Sequence, residues 1–353
     1  MTDKQLRIIT HDCEEISEEL QGKIENLRGA SILITGGTGF IGSWLSEVIT
    51  FLNDNYAFKI RLYLLSRHAY QFKEIAPHLS SRHDISLISN ELASIYELPE
   101  DITYIIHAAG SPDNRLNASD PMKVFRTIVN GTNSLLDTAA RLPNLKRMLN
   151  ISSGLIYGSQ PIELDRIKEE FLGGPDTNTA MSTYTEGKRM AEVLCSIFRT
   201  QQRMEIVTAR PFAFIGPYQR LNRPWAINNF ISEALNGGPI RILGDGCTIR
   251  SYMYPSDMVN WLLTLLVSGK SGQAYNLGSV EEISLYNLAL KIASFFPQKI
   301  EIQSNIAPAT NKISRLIPDI GRAENLNLKN KVSLNNALLR SIEWFKDESL
   351  KTI

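Results

Sequence analysis

The chain has 353 residues, with 37 Lys plus Arg and 37 Asp plus Glu, so its formal net charge at neutral pH is zero. This length accommodates one nucleotide-binding domain of about 150–250 residues and a smaller second lobe. The balanced charge lacks the strong basic excess typical of non-specific nucleic-acid binding. A hydrophobic content of 43% with 21% charged residues argues against disorder. We therefore expect a globular protein that does not bind nucleic acid.

Cysteine and histidine patterns indicate neither a disulfide framework nor a metal site. The three cysteines, Cys13, Cys195 and Cys247, lie far apart, and none forms a CxxC motif. The five histidines form no HxxxH or HExxH pattern, so we predict no metal. The first twenty residues are polar and acid-rich, unlike a signal peptide, and the apolar runs are too short to span a membrane. These features predict a cytoplasmic protein without membrane contact.

Residues 1–29 are predicted to form a helical extension. The acidic segment 12–28 is typical of one polar helix that packs on the surface, and Asp12 is the candidate N-cap.

From residue 31 onwards, short apolar runs alternate with helical stretches. The strand-like runs lie at 31–35, 60–65, 85–88, 103–107, 147–151 and 205–209, and the helical stretches at 42–52, 120–141 and 183–201. This alternation predicts a parallel sheet covered on both faces, so the fold class is α/β with a Rossmann-type, doubly wound parallel sheet. After residue 211 turn signals cluster, which predicts a smaller C-terminal lobe.

A glycine loop supplies the first chemical signal. Gly36, Gly39 and Gly42 form a G-x-x-G-x-x-G pattern between a predicted strand and a predicted helix. Such glycines allow a sharp turn and a close approach of backbone to a diphosphate, and the following helix N-terminus attracts negative charge. We assign dinucleotide binding to Gly36, Thr38, Gly39, Phe40, Ile41 and Gly42.

The end of the second predicted strand bears on which dinucleotide binds. An acidic residue there would bind the ribose hydroxyls of NAD, whereas a nearby arginine tolerates the 2′-phosphate of NADP. Ser66 and Arg67 stand at this position, without Asp or Glu. The sequence therefore favours NADP slightly over NAD, and both remain open.

Tyr184 and Lys188 are spaced i, i+4, so on a helix they share one face. A cation beside a phenol stabilises the phenolate, which lowers the tyrosine pKa and makes a base able to take a hydroxyl proton during hydride transfer. Ser152 and Ser153 follow a predicted strand, at the sheet edge where ligands bind in such folds.

Together these motifs resemble the extended short-chain dehydrogenase/reductase family, which includes nucleotide-sugar epimerases, dehydratases and decarboxylases. The matching segments run in order from Thr35–Gly42 through His107–Gly110, Asn130–Thr132, Ser152–Gly158, Tyr184–Lys188 and Arg210–Pro217 to Gly244–Tyr254. The resemblance covers residues from about 30 to about 345. It implies an NAD(P)-binding domain at 30–214 and a mainly substrate-binding lobe at 215–353, with some chain returning to the first domain.

The resemblance also implies residue roles. Tyr184 is the catalytic base and acid, Lys188 tunes it and holds the nicotinamide ribose, and Ser153 bonds the sugar hydroxyl that is oxidised. Ala108 and Ala109 would line the cofactor through their backbone, and Asn90 would contact the adenine. Arg250 and Arg315 are expected to meet the diphosphate of a nucleotide-diphosphate sugar.

The reaction is less determined than the family. Members that dehydrate a 4-keto sugar carry Thr-Asp-Glu where this chain has Ser153-Gly154-Leu155, so the usual acid and base are missing. The decarboxylases of the family usually keep a Glu where Leu155 stands, which weakens a decarboxylase reading without excluding it, because a β-keto acid loses CO₂ with little help. Ala213 also replaces an Asn that contacts substrate in many relatives. We favour an epimerase that acts through a 4-keto intermediate. The alternatives are a 4-ketoreductase, and a 4,6-dehydratase or decarboxylase whose acid–base groups come from elsewhere, such as Glu163, Asp165 or Glu186. A non-catalytic nucleotide sensor is a minor alternative.

The family resemblance further implies a homodimer. The pairing helices would be those at 120–141 and 183–201, where the second offers Met190, Leu194, Ile197 and Phe198 as apolar contacts. The alternative is that these side chains face only their own sheet.

Overall fold

The computed structural model describes residues 1–304 and 314–349. Its strands are β1 (Ser31–Thr35), β2 (Arg61–Ser66), β3 (Ile85–Ser89), β4 (Tyr104–His107), β5 (Arg147–Ile151), β6 (Ile206–Pro211), β7 (Ala213–Phe214), β8 (Ile240–Ile242), β9 (Ile249–Met253), β10 (Ala274–Leu277), β11 (Glu282–Ser284), β12 (Ile302–Ser304) and β13 (Arg315–Leu316).

The α-helices are α1 (Asp3–Lys23), α2 (Phe40–Tyr56), α3 (Phe72–Ile75), α4 (Pro77–Ser80), α5 (Asn114–Ser119), α6 (Pro121–Phe125), α7 (Gly131–Ala139), α8 (Thr183–Gln201), α9 (Ala226–Leu235), α10 (Pro255–Ser268), α11 (Leu285–Ala293), α12 (Gly321–Glu324) and α13 (Leu334–Ser349).

Seven strands form one parallel sheet in the order β10-β6-β5-β4-β1-β2-β3. The chain order reverses between β1 and β4, which opens a crevice at the carboxyl ends of these two strands. The central strands are buried on both faces, as helices on both sides require. The doubly wound α/β fold predicted from the sequence is thereby confirmed, and β1, β5 and α8 have the predicted bounds.

The helical extension differs from the expectation. Helix α1 begins at Asp3, with Thr2 as N-cap in a reciprocal capping box with Gln5. Asp12 is therefore not an N-cap; it lies in the middle of the helix and is fully buried. One face of α1 packs against α2, α10 and α13, so the helix shares the main hydrophobic core.

The stretch 120–141, expected to be one helix, is interrupted. Helix α6 ends at Phe125, a π-helical turn spans Arg126–Asn130, and α7 continues from Gly131. Extra turns of this kind re-aim side chains and occur frequently at functional sites. Val124 and Ile128 from this region pack against Tyr184 of α8.

Beyond the large sheet, the chain builds a smaller mixed sheet around β9. Strand β9 pairs with β11, β13 and β7, and a separate pair joins β8 to β12. Strand β10 instead returns to the edge of the large sheet beside β6. Arg250 lies on β9, in the middle of the small sheet. The division at residues 29 and 214 stays a prediction.

Candidate active site

The glycine loop lies at the reversal point of the sheet. Gly36 follows β1 with φ +69°, a left-handed conformation that glycine adopts readily. A Cβ at this position would lie 2.9 Å from the carbonyl oxygen of Ala108, which follows β4. The loops after β1 and β4 therefore touch here, and only a residue without a side chain fits between them.

Helix α2 directs its N-terminus at this crevice. Gly39 is the N-cap, and no side chain caps the amides of the first turn. The Thr38 hydroxyl donates to the Ser66 hydroxyl at 2.9 Å, which ties the glycine loop to the end of β2. Free amides at a helix N-terminus favour a negatively charged group. The residues present therefore fit the diphosphate of a dinucleotide.

A cavity of about 850 Å³ extends from the glycine loop to the small sheet. Most of the predicted site residues line it: Gly36, Thr38, Gly39, Phe40, Ile41, Ser66, Arg67, Asn90, Ala108, Ala109, Ser153, Tyr184, Lys188 and Arg250. Gly42 lies one turn into α2, where it packs against Gly37. Arg315 does not line the cavity.

Lys188 is buried beneath the cavity floor. Its ammonium donates to the carbonyl oxygens of Ile151 at 2.7 Å and Ala109 at 3.2 Å. These two bonds hold the charge at the carboxyl ends of β5 and β4, close to Tyr184 on the preceding turn of α8. Burial lowers the pKa of Lys188 to about 8, because a desolvated ammonium is less stable than its neutral form.

Tyr184 is buried against Ser153, whose hydroxyl shares a hydrogen bond with the phenol. The sequence predicted a lowered pKa for this tyrosine. In the ligand-free structure burial instead raises the pKa of Tyr184 to about 12, and the bond with Ser153 only partly offsets that rise. The ammonium of Lys188 is engaged by backbone carbonyls and does not offset it.

Ser153 lines the cavity and is the N-cap of a short turn. Its hydroxyl oxygen accepts a hydrogen bond from the amide of Leu155 at 3.1 Å and so caps the short 3₁₀ turn Gly154–Tyr157. This bond fixes the position of the hydroxyl relative to the next two residues.

His107 has a structural role at the end of β4. Its Nδ1 lies 2.7 Å from the Thr35 hydroxyl and its Nε2 lies 2.9 Å from the Thr132 hydroxyl, so both ring nitrogens are engaged. Burial and the nearby Lys188 lower the pKa of His107 to about 3, which keeps the ring neutral.

The two arginines predicted to meet a diphosphate occupy different positions. Arg250 lines the cavity and donates to the carbonyl oxygens of Ile249 and Ser314, at 2.7 and 3.2 Å. Burial lowers its pKa. Arg315 instead forms an ion pair with Glu282 at 2.5 Å. A substrate contact by Arg315 stays a prediction.

Three cationic residues that line the cavity were not predicted from the sequence: Lys123, Arg220 and Arg223. Arg223 donates to the buried carboxylate of Asp113 at 2.6 Å, whereas no described carboxylate pairs with Arg220. One sequence feature pointed to Arg220 and Arg223 as site residues. Both follow shortly after Gly216-Pro217-Tyr218, in a segment that leaves the sheet edge. Without the fold, that signal did not separate them from surface cations.

The carboxylates proposed as displaced acid–base groups do not reach the cavity. Glu163 and Asp165 are exposed, and Glu186 forms an ion pair with Arg189 at 3.4 Å. Within residues 1–304 and 314–349 no group of three or more His, Cys, Asp or Glu side chains could hold a metal ion. In the same residues no helix is both long and apolar enough to cross a membrane.

Two curated relatives are decarboxylases. UDP-glucuronic acid decarboxylase 1 of Xenopus tropicalis is 29% identical over 353 residues, covering 95% of this chain and 80% of the relative. UDP-glucuronic acid decarboxylase 1 of Arabidopsis thaliana is 31% identical over 322 residues, covering 90% of this chain and 70% of the relative. These relatives support the decarboxylase alternative better than the epimerase that the sequence favoured.

A solved structure shows the same fold. UDP-glucuronic acid 4-epimerase of Bacillus cereus, in complex with UDP-glucuronic acid and NAD, has a TM-score of 0.75 at 23% identity, over 90% of this chain and 99% of that chain. A family model described as NAD dependent epimerase/dehydratase family matches residues 32–278. The resemblance inferred from the motifs is confirmed: the chain is an NAD-dependent enzyme and belongs to the NAD dependent epimerase/dehydratase family.

Proposed function

We propose that the protein converts a nucleotide-diphosphate hexuronic acid into the corresponding pentose with loss of CO₂. The observation that carries this proposal is the likeness to relatives named UDP-glucuronic acid decarboxylase, together with the grouping of Ser153, Tyr184 and Lys188 beside the glycine loop. Such a site supports oxidation and reduction at a sugar carbon and lacks the acid–base pair of a dehydratase. The relatives named UDP-glucuronic acid decarboxylase support the same reaction.

Ser153 and Tyr184 act at the C4 hydroxyl of the sugar. Ser153 donates a hydrogen bond to the C4 oxygen, and the phenolate of Tyr184 takes the hydroxyl proton. Lys188 holds its positive charge beside the phenolate through Ile151 and Ala109. NAD held along the glycine loop would supply an acceptor and donor of hydride for the sugar carbon C4.

A 4-keto hexuronate is a β-keto acid, so it loses CO₂ without a protein base. The C5–C6 bond breaks, its electron pair moves through C5 to the C4 oxygen, and CO₂ leaves. C5 then takes up one solvent-derived proton, hydride returns to C4, and Tyr184 gives its proton back to the C4 oxygen. This sequence explains how a site with Gly154 and Leu155 remains productive.

The test is incubation with NAD⁺ and UDP-, dTDP-, CDP- and GDP-hexuronates, followed by NMR of the products. We expect a nucleotide-diphosphate pentose and one equivalent of CO₂, lost in a Tyr184→Phe variant. Inversion at C4 without CO₂ would instead establish the epimerase. A 4-keto-6-deoxy product from a nucleotide-diphosphate hexose would establish a dehydratase.

The cofactor preference and the compartment remain part of the proposal. Arg67 lines the cavity at the adenosine end, and no described carboxylate pairs with it, which supports use of NADP as well as NAD. The three cysteines are unpaired, which supports a reducing, cytoplasmic location.

We also propose a homodimer built on α6 and α8. Their exposed apolar side chains are Met122, Phe125, Met190, Val193 and Ile197. Clustered exposed apolar groups mark interaction sites. Phe198, one of the predicted contacts, is buried in the core under α8 and faces its own sheet, and Leu194 packs beside that core.

A further inference from the structure

Phe212 occupies the space that a side chain at position 154 would need. A Cβ on Gly154 would lie 2.8 Å from Cδ2 and 2.9 Å from Cε2 of the Phe212 ring. The ring is held in place by Tyr157, with ring centroids 6.2 Å apart, and it lines the cavity. A larger residue at 154 therefore requires Phe212 to move.

Leu155 places a second apolar side chain, beside that of Phe212, next to the hydroxyl of Ser153. Its side chain lines the cavity and is 42% exposed. Its amide lies 3.1 Å from the Ser153 oxygen, so the leucine is fixed beside the group that binds the C4 oxygen. Leu155 and Phe212 together form what we call the apolar wall.

The cavity places no acid or base on this wall. Among the described lining residues, the carboxylates are Glu91 and Asp120. Glu91 follows β3 at the far edge of the sheet, and Asp120 accepts the amide of Lys123 as the N-cap of α6. A sugar whose C4 oxygen lies against Ser153 and Tyr184 has C6 two bonds from C4, within reach of Leu155.

We propose that the apolar wall excludes water from the C6 carboxylate and thereby accelerates loss of CO₂ from the 4-keto intermediate. This inference rests on the proposed function. Water stabilises the localised charge of a carboxylate more than the charge that spreads toward the enolate as the C5–C6 bond breaks. Excluding water therefore lowers the barrier to cleavage.

Binding of the rest of the substrate offsets the unfavourable placement of a carboxylate beside apolar groups. Arg250 lines the same cavity, and the cations Lys123, Arg220 and Arg223 lie on its wall. Their attraction for a diphosphate would supply binding energy that offsets this cost.

The experiment separates the two chemical steps in a single turnover. A nucleotide-diphosphate glucuronic acid labelled with ¹³C at C6 is mixed with the enzyme and NAD⁺; absorbance of reduced cofactor reports oxidation at C4, and labelled CO₂ reports cleavage. Leu155→Gln adds a polar group of similar size, and Leu155→Met is the matched apolar control. Melting temperatures would check that both variants are folded.

We expect Leu155→Gln to slow CO₂ release by at least about tenfold while C4 oxidation changes by less than about twofold, so that 4-keto hexuronate accumulates. Leu155→Met should behave like the wild type. Phe212→Leu, which opens space beside Gly154, should slow CO₂ release in the same direction.

Two results would overturn the role of the wall and leave the proposed function standing: CO₂ release by Leu155→Gln as fast as by the wild type, or faster release by Leu155→Glu. Absence of labelled CO₂ from the wild type with every nucleotide-diphosphate hexuronate would overturn the proposed function, and the inference with it.

Discussion

Arg223 donates a hydrogen bond to the Asp113 carboxylate at 2.6 Å and so joins the segment before α9 to the loop that follows β4. Asp113 is buried, and it also caps α5 by accepting the Arg115 amide at 3.0 Å. Hydrogen bonds from Arg115 and, to a smaller extent, from Arg223 hold the pKa of Asp113 well below its usual range despite burial. Because Arg223 lines the cavity, this ion pair positions part of the cavity wall.

Breaking this pair should weaken substrate binding more than chemistry. We expect Arg223→Gln to raise KM for the nucleotide sugar about three- to tenfold with kcat within about twofold, since the loss corresponds to about 1 kcal/mol of binding. Arg115→Gln is the matched control, because Arg115 contacts the same carboxylate without lining the cavity. Equal effects of the two variants would contradict the prediction.

The Tyr184–Lys188 pair predicts a distinctive pH profile. Burial lowers the pKa of Lys188 to about 8, so the ammonium is lost as pH rises through that value, and wild-type kcat/KM should decline there. In Lys188→Met we expect activity near neutrality to fall by at least about a hundredfold and to rise with pH, because the buried phenol, whose pKa is about 12 even with Lys188 present, then has no neighbouring ammonium to stabilise its phenolate. A flat profile in the variant would refute this assignment.

Asp12 predicts a pH dependence of stability. Burial raises its pKa to about 6, although Tyr254 and Arg340 both lower it. The folded state therefore binds a proton more tightly than the unfolded state, so the free energy of unfolding should fall as pH rises from about 4 to about 6, by about 1–3 kcal/mol from this residue. Asp12→Asn should remove that fall in urea titrations across this range.

The control for Asp12 is Glu14→Gln, which removes an exposed charge from the same helix. It should retain the wild-type slope of stability against pH. An unchanged slope in Asp12→Asn would show that another group is responsible, and Asp257, whose pKa burial also raises to about 6, would be the next to test.

Arg67 allows a test of the proposed use of NADP. Replacing it with Asp should lower the ratio of kcat/KM for NADP⁺ to that for NAD⁺ by at least about tenfold, because a carboxylate repels the 2′-phosphate and accepts the ribose hydroxyls. Lys73→Asp makes the same charge change at an exposed residue outside the cavity and should leave the ratio unchanged. An unaltered ratio in Arg67→Asp would place the adenosine elsewhere.

The proposed homodimer predicts that a charge on α8 yields monomers. Val193 is 50% exposed, and burying a glutamate there without a partner is unfavourable, so Val193→Glu should shift the mass measured by light scattering to that of one chain. Leu172→Glu changes a 96% exposed leucine outside α6 and α8 and should not alter the mass. A monomeric wild type would contradict the proposal.

Local sequence patterns determined much of the sheet and the reactive pair. β1 is a short apolar run followed at once by glycines, and α8 carries Tyr184 and Lys188 at helical spacing, so both elements have the predicted bounds. These elements can be predicted from the sequence because they depend on hydrogen bonds and side-chain spacing within a few residues. The glycine loop is a local pattern of the same kind.

Only the tertiary structure decided what depends on residues far apart in the chain. Asp12, an apparent helix cap, is buried against Tyr254 and Arg340 because α1 packs into the main core. Gly154 faces the ring of Phe212, and Arg223 reaches Asp113, across intervals of more than fifty residues. No local pattern encodes such contacts, since burial and charge pairing depend on which distant segments the fold brings together. The sequence by itself therefore determined the family and placed the Tyr184–Lys188 pair on one helix, and the fold decided which side chains line the cavity beside that pair.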